Sequence, residues 1–416
     1  MQQLQLFMPL NIKSITFLFF CLAALTFPFS VAATNMFLAI ALVLAVFSGD
    51  FKRGIQILWK NQRIFAYALL FYLSLLLLGL LWSNDVASGL DIIFHHNKWL
   101  ILPALLAVLA VSKQHQFLFL IFLSVGLTLH LAVCVLQMFG ILTINDVGGS
   151  SAADAAGYIG HISFGFVYAI WAGALFLWGL QQRNGLLRHV AWFMSSWTFL
   201  MIFLAQGRSG FLIAIATITF LIWFVFFKQK GWKRLTLLIS FMLMAVIGGA
   251  FVFSDNSRVK QTLMSMKSIY NGDLTHAEER VFIWMTAIDI WKNNPFLGAG
   301  TGGYRGSMPQ LLKERPELFN GQQVYSHPHQ LYLLSAARWG AVGVLSVCLL
   351  LLSWFLIGKN NKESDFLGLA SLSALAFFVH GFTSTGLEAF HPLTMGVFAL
   401  AIVISHVKNK QEYGVS

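Results

Sequence analysis

Long, continuous apolar runs separated by short polar turns are the feature that most limits what this chain can fold into. A helix needs roughly 20 apolar residues to cross a hydrocarbon layer about 30 Å thick. Twelve runs reach or approach that length. Because these runs are continuous rather than alternating, they predict helices and not the strands of a membrane barrel. The twelve runs lie at 14–32, 34–49, 64–82, 99–112, 117–140, 161–180, 189–206, 209–227, 234–253, 329–357, 366–386 and 391–406.

The composition excludes a water-soluble globule. Hydrophobic residues make up 58% of the 416 residues and charged residues only 10%, whereas soluble domains have about 25% charged residues. Disordered chains need the opposite composition. Cys21, Cys134 and Cys348 all lie inside apolar runs, which argues against a disulfide framework or a zinc cluster. We therefore predict an all-α polytopic membrane protein whose residues 1–416 form a single domain.

The first apolar run has two interpretations. It follows Lys13, and Val31, Ala32 and Ala33 have the small side chains of a signal-peptide cleavage site. A second apolar run follows at once from Met36, which favours a retained helical hairpin over a cleaved signal.

Basic residues at the ends of the runs predict the orientation in the membrane. With Lys13 inside, alternation places 16 basic residues in the inner segments and two, Lys98 and Arg208, in the short outer loops. This bias follows the positive-inside rule and predicts that both termini lie in the cytoplasm. The net charge of +11 therefore reflects topology, and we expect membrane lipids rather than nucleic acid as contacts.

The segment 254–326, between the ninth and tenth runs, is the one long polar stretch and should lie outside the membrane. Within it, Glu278 to Trp291 predicts an amphipathic helix along the membrane surface, which Asn294-Pro295 should end. The turn 298–303 contains four glycines. Its backbone N–H groups could approach an anion, although a simple flexible turn explains the same pattern.

Three basic side chains are candidates for binding or catalysis. Arg208 lies in a tight turn between two spans, where it could bind phosphate oxygens or reach lipid headgroups. His327 and His329 precede the tenth span. A histidine can act as a general base, but helix capping and a His-x-His metal site are alternatives. No Asp, Glu or Cys completes a metal set at a recognisable spacing, so no metal is expected.

The segment around His329 resembles the signature of the bacterial O-antigen ligases. That signature is His, then Asn, Ser or Gln, then nine residues and Gly-x-x-Gly, and the stretch from His329 to Gly343 fits it without a gap. The arrangement of spans and the long outer loop are similar as well. Arg208 and Arg280 match the family's two arginines, and 294–300 resembles a turn found in O-antigen polymerases.

The resemblance implies a GT-C-like membrane fold of about 12 helices, with amphipathic helices on the periplasmic loop, in the bacterial inner membrane. It implies an inverting, cofactor-free and metal-independent glycosyltransferase of lipopolysaccharide biosynthesis. The donor would be O-antigen on undecaprenyl diphosphate and the acceptor a sugar of the lipid A core. His329 would be the catalytic base, and Arg208 and Arg280 would bind the diphosphate at the periplasmic face.

Other polar residues are expected to take lesser parts. Arg338 should be structural or face lipid, and His95 and His96 should be interfacial. Contacts to sugar or phosphate are expected from Tyr304, Arg305, His327 and Tyr332, and more distant cavity positions from His380, Glu388 and His391.

Two other functions remain open at this stage. The same chemistry with another acceptor would give an O-antigen polymerase or a protein O-oligosaccharyltransferase. A transporter of an anionic lipid or solute could also use Arg208 and Arg280. No inverted repeat and no paired broken helices are visible in the sequence, which argues against the transporter.

Overall fold

The computed structural model describes residues 11–144, 155–205, 207–228, 279–314, 325–359 and 367–412. Throughout these ranges the regular structure is helical, as the apolar runs predict. The helices are α1 (Ile12–Thr26), α2 (Val31–Phe47), α3 (Asp50–Asn61), α4 (Arg63–Leu78), α5 (Val86–His95), α6 (Lys98–Leu109), α7 (Lys113–Met138), α8 (His161–Gln181), α9 (Gly185–Leu204), α10 (Arg208–Lys228), α11 (Glu279–Asn293), α12 (Gly303–Glu314), α13 (Leu331–Lys359), α14 (Leu367–His380) and α15 (Phe390–Glu412).

Each predicted apolar run that the structure describes contains a helix, although α14 ends at His380, six residues before the predicted end of the run at 366–386. The run at 234–253 lies outside the described residues. By length and composition, six described helical stretches could each cross a membrane, or seven if the bent pair α2 and α3 forms one span. The run at 99–112 is part of a longer candidate, Val86–Leu109, which joins α5 and α6. A total of twelve spans stays a prediction.

Three further short helices lie between the predicted apolar runs. They are α3, α5 and α12. Helix α3 turns by 87° from α2 and packs on α6. Asp50 at its start forms an ion pair with Arg53 at 3.0 Å, and Arg53 donates to the Ala107 carbonyl at 2.6 Å. Part of the charge between the second and third runs is therefore anchored to the helix bundle.

Helices α8, α10 and α14 pack together, and their contacts fix which ends lie on the same side. A Cβ on Gly165 would lie 2.3 Å from Gly210, whereas one on Gly173, further along α8, would lie 3.3 Å from Thr217 on α10 and 2.3 Å from Leu372 on α14. The Phe166 ring lies 5.1 Å from His380. Helices α8 and α10 are thus parallel, and α14 runs against both. The start of α10 at Arg208 and the end of α14 at His380 therefore lie at the same end of this group.

Helix α13 is sharply bent. Its backbone leaves the helical region at Trp339 (φ −132°, ψ 16°) and Gly340 (φ 61°, ψ −151°). The Tyr332 ring lies 6.0 Å from Phe378 and the Trp354 ring 5.0 Å from Phe377. A straight helix would separate residues 332 and 354 by about 33 Å, which is too far for both to contact neighbouring residues of α14. The bend brings the segment 331–338 back over the end of α14.

Candidate active site

The loop that leads into α13 holds two histidines in a strained arrangement. The rings of His327 and His329 lie 4.3 Å apart, edge to face. The His329 backbone N–H donates to Nδ1 of His327 at 3.3 Å, so the neutral His327 ring carries its proton on Nε2. Among the described residues other than glycine, His329 alone has a positive φ, of 50°. Such strain costs about 1–3 kcal/mol and is concentrated at functional sites.

Gln330 and Trp284 hold this loop in place. The Gln330 side chain accepts the Leu333 backbone N–H, which makes Gln330 the N-cap of α13. The indole N–H of Trp284, on α11, donates to the Pro328 carbonyl at 2.9 Å. The loop is therefore fixed both to the helix that follows and to α11.

Arg280 lies on the same helix as Trp284 and acts on His329 electrostatically. Three causes together lower the pKa of His329 to about 4: partial burial is the largest, followed by the nearby His327 and then the Arg280 guanidinium. The imidazole is therefore neutral at pH 7 and can accept a proton. The structure thus brings Arg280 and His329 together, although 48 residues separate them in the sequence.

Behind the histidines lies a buried ion pair. The guanidinium of Arg338, whose side chain is 2% exposed, donates to both carboxylate oxygens of Glu388. Burial would raise the pKa of Glu388, but Arg338, together with His96 and His327, holds it below its usual value. Arg338 therefore faces the protein interior, and the alternative that it faces lipid is wrong.

The same network extends to His96 and Tyr72. His96 is 3% exposed, so its expected interfacial position is wrong, whereas His95 is exposed. Nδ1 of His96 lies 2.8 Å from the Ile92 carbonyl, which can only accept, and Nε2 lies 2.8 Å from the Tyr72 hydroxyl. A neutral His96 therefore donates from Nδ1 and accepts from Tyr72. Four side chains, Tyr72, His96, Glu388 and Arg338, form one buried polar group next to His327.

The turn 294–300 caps both sides of the bend in α13. The N–H groups of Ala299 and Gly300 donate to the carbonyls of Ala337 and Arg338, each at 2.8 Å. In the other direction, the Ala341 N–H donates to Pro295 at 2.8 Å. A broken helix exposes unpaired carbonyls and N–H groups, and this turn supplies partners for both kinds.

Gly298 and Gly340 allow the turn 294–300 to lie close against the bend in α13. A Cβ on Gly340 would lie 2.2 Å from the Phe296 carbonyl carbon, and one on Gly298 would lie 2.4 Å from that of Arg338. Both residues have positive φ values. The N–H groups of 298–303 donate to protein acceptors, so the proposed anion-binding turn is wrong. The glycine turn is a structural cap.

Arg208 begins α10, and its side chain lies outside the described residues. Its backbone lies at the end of α8, α10 and α14 that carries His380. The neighbouring Gly381 carbonyl accepts the Leu331 N–H at 2.7 Å. The start of α10 is therefore on the same side of the bundle as the segment that follows His329.

The remaining predicted contacts are dispersed. Tyr304 is 1% exposed, and its hydroxyl donates to the Ile283 carbonyl at 3.4 Å; the substrate contact expected of it does not fit, because its ring packs between α11, α12 and α13. Arg305 is exposed near Asp85. Tyr332 is partly exposed and donates to the Phe378 carbonyl at 2.8 Å. Only His327 adjoins His329 directly.

His380 and His391 are buried among apolar residues. His380 is 0% exposed and packs against Phe166, and His391 contacts Phe27. Of the three cavity positions expected near the last two spans, Glu388 alone is tied to the histidine loop. Across the described ranges, no three His, Cys, Asp or Glu side chains are grouped as metal ligands.

The sequence reasoning underrated the Arg338 and Glu388 pair. Charged residues inside apolar helices usually find a partner, and Arg338 lies within an apolar stretch. Its position therefore indicates a buried partner, but the identity of that partner, 50 residues further on, depends on the fold.

One comparison with known proteins gives a match. Residues 191–348 match the family model described as O-antigen ligase. This region begins in α9, contains Arg208, Arg280 and His329, and ends in α13. No curated protein matches the chain. The match covers less than half of the chain, and it supports a relationship of this region to the O-antigen ligase superfamily.

Proposed function

We propose that this chain is a member of the O-antigen ligase superfamily and that it joins O-antigen to lipopolysaccharide. It transfers a completed glycan from undecaprenyl diphosphate to a sugar of the lipid A core, at the periplasmic face of the bacterial inner membrane. The observation that carries this proposal is the geometry of the histidine loop: His329, at φ 50°, is held beside His327, and Trp284 ties the loop to the helix that carries Arg280. Twelve spans and an outer loop at 254–326 complete the proposed topology.

His329 acts as the general base. It removes the proton from the acceptor hydroxyl as that oxygen attacks the anomeric carbon of the donor sugar. The bond between this carbon and the diphosphate oxygen breaks, and the electron pair leaves with undecaprenyl diphosphate. Attack opposite the leaving group inverts the anomeric configuration. General base catalysis of this kind contributes typically 10²–10⁴-fold to the rate.

Arg280 and Arg208 bind the diphosphate. Guanidinium groups bind phosphate oxygens in a bidentate manner, and these bonds strengthen as negative charge develops on the leaving group. Helix α11 supplies Arg280 and the start of α10 supplies Arg208. The reaction needs no metal in this scheme, because the arginines supply the positive charge.

Donor binding also activates the base. Arg280 is one of the causes that lower the pKa of His329. A bound diphosphate places negative charge between them and opposes that effect, which raises the pKa of His329. The imidazole therefore becomes a stronger base only when the donor is present.

In vitro transfer with purified protein tests this function. The assay uses carrier-linked glycan and purified rough lipopolysaccharide, and compares the wild type with His329→Ala. The wild type should transfer glycan, and His329→Ala should be slower by about 10²–10⁴-fold. His189→Ala is the matched control, since His189 is an exposed histidine near the start of α9. Full activity of His329→Ala would overturn its assigned role.

Deletion cells distinguish a ligase from a polymerase. Loss of a ligase leaves carrier-linked polymer in the membrane and bare core on lipid A. Loss of a polymerase leaves single repeat units on the core, and loss of a protein O-oligosaccharyltransferase leaves lipopolysaccharide unchanged. Transfer by protein in detergent, without a sealed membrane, would rule out transport as the sufficient function.

A further inference from the structure

A polar groove lies between α11 and α12, away from the histidine loop. Its cavity has a volume of about 110 Å³. One water needs about 10–15 Å³ of such space, so the groove could hold about eight waters or a single sugar ring that remains partly exposed. Ile290 and Leu311, both buried, form its floor.

The rim of the groove is built from amide, hydroxyl and carboxylate groups. Asn293 and Asn294 follow Ile290 at helical spacings of three and four, so they lie on one side of α11 and the turn after it. The facing side of α12 carries Ser307, Gln310 and Glu314 at similar spacings. Both helices thus present polar atoms above an apolar floor.

This chemistry favours a neutral, hydroxylated ligand. Amides can donate and accept at once, and carboxylates accept, which suits the adjacent hydroxyls of a sugar. An apolar floor suits the C–H face of a sugar ring. The groove lining includes no Lys or Arg and one carboxylate, Glu314, so it would repel a diphosphate. It is therefore chemically different from the site near Arg280.

The groove lies at a useful distance from the reacting atoms. Arg280 and Asn293 occupy opposite ends of α11, and 13 residues of helix separate them by about 20 Å. A glycan whose diphosphate lies at Arg280 could reach the groove with a sugar several units away from the bond that breaks. The acceptor core, which is also an oligosaccharide, could reach it in the same way.

We propose that the groove between α11 and α12 is a saccharide subsite, lined by Asn293, Gln310 and Glu314, that binds one sugar of an oligosaccharide several units from the reacting carbon. This inference rests on the proposed function. The subsite would favour long glycans over short ones without touching the transferred bond.

Direct binding tests the subsite independently of catalysis. The probes are core oligosaccharide released from rough lipopolysaccharide and O-polysaccharide released by mild acid, titrated into wild type, Asn293→Ala and Gln310→Ala. Loss of a hydrogen bond to the sugar should weaken binding of one probe by about tenfold. Lys313→Ala, an exposed change on the same helix, is the matched control and should bind like the wild type.

The two probes identify the source of the sugar. Weakened binding of core oligosaccharide assigns the subsite to the acceptor, and weakened binding of O-polysaccharide assigns it to the donor. In transfer assays, the kcat/KM ratio of a long substrate to a single-unit substrate should fall by the same factor. Unchanged affinity for both probes in correctly folded variants would overturn the subsite. A wild type that binds these probes but transfers no glycan would instead overturn the proposed function.

Discussion

At the scale of single residues, the left-handed backbone of His329 organises the site. A histidine at φ 50° needs its neighbours to hold it, and Gln330, Trp284 and His327 each supply a hydrogen bond to this loop. The motif position after the histidine accepts Asn, Ser or Gln. The cap observed at Gln330 gives a physical reason, because Asn and Ser are the best N-cap residues.

The pH dependence of transfer should reveal the lowered pKa of His329. The neutral form is the active base, so a pKa of about 4 keeps kcat/KM constant from pH 8 down to about 5, with a fall below that. An ordinary histidine would lose half its activity near pH 6.5. The profile of kcat, which reports the donor complex, should have the higher pKa. Two profiles that both fall near pH 6.5 would contradict this prediction.

Arg280 contributes to the low pKa of His329, and its replacement should therefore change that pKa. Arg280→Gln removes a positive charge near the ring, so the pKa from the kcat/KM profile should rise. The same substitution should reduce transfer because a diphosphate contact is lost. Measurement of both profiles on the variant checks the prediction, and a pKa that stays near 4 would show that Arg280 does not act on His329.

The buried pair of Arg338 and Glu388 should matter more for stability than surface pairs do. Glu388→Ala leaves the Arg338 charge buried without its carboxylate, which typically costs about 3–5 kcal/mol. Lys292→Ala removes an exposed ion pair with Asp289 at 3.6 Å and should cost below about 1 kcal/mol. Thermal unfolding in detergent compares the two variants. If both variants lost the same small amount of stability, the pair of Arg338 and Glu388 would contribute little to the stability of the protein.

At the scale of elements, the bend in α13 and the turn 294–300 form one unit. Each supplies the hydrogen bonds that the other lacks, and Thr301 joins this unit to α4 by accepting from the Trp339 indole at 3.1 Å and donating to the Leu76 carbonyl at 2.8 Å. The Gly-x-x-Gly motif is therefore a structural requirement of the bend. Gly340 is at the break, and a Cβ on Gly343 would lie 2.5 Å from the Ser335 carbonyl oxygen.

Replacement of Gly340 by alanine tests this unit. Its φ of 61° and ψ of −151° fall in a region essentially reserved for glycine, and its Cβ would collide with Phe296. We expect a loss of both stability and transfer. Gly49→Ala is the matched control, since Gly49 has a positive φ of 77° but no atom within 4 Å of the added Cβ. It should cost only about 1–2 kcal/mol.

At the scale of the whole molecule, apolar runs predict the helices well because the bilayer requires one length and one composition. Helices α3 and α5 lie outside the predicted runs, since short helices depend on what they pack against, whereas α12 lies in the loop on which the family resemblance implies amphipathic helices. Tertiary contacts likewise decide the positions of His96, Tyr304 and Arg338. The sequence predicts that His329 and Arg280 belong together through the family resemblance, but their electrostatic contact follows from the fold.

The topology of the molecule can be tested by thiol labelling. In a chain without its native cysteines, Ser326→Cys should react with a membrane-impermeant reagent in cells whose periplasm is accessible, because Ser326 is exposed beside the histidine loop. Arg183→Cys, in the turn between α8 and α9, should react only after the inner membrane is opened. Labelling of both positions from one side would contradict the proposed orientation.

The turn 294–300, which forms hydrogen bonds on both sides of the bend in α13, has a consequence for which donor glycans the protein can use. The segment 331–338 cannot straighten without leaving backbone N–H and carbonyl groups unpaired, so the position of the histidine loop relative to the helix bundle is fixed. Under the proposed function, the diphosphate of every carrier lipid would therefore bind at the same position relative to His329. The identity of the first sugar would then matter less than its distance from the lipid tail.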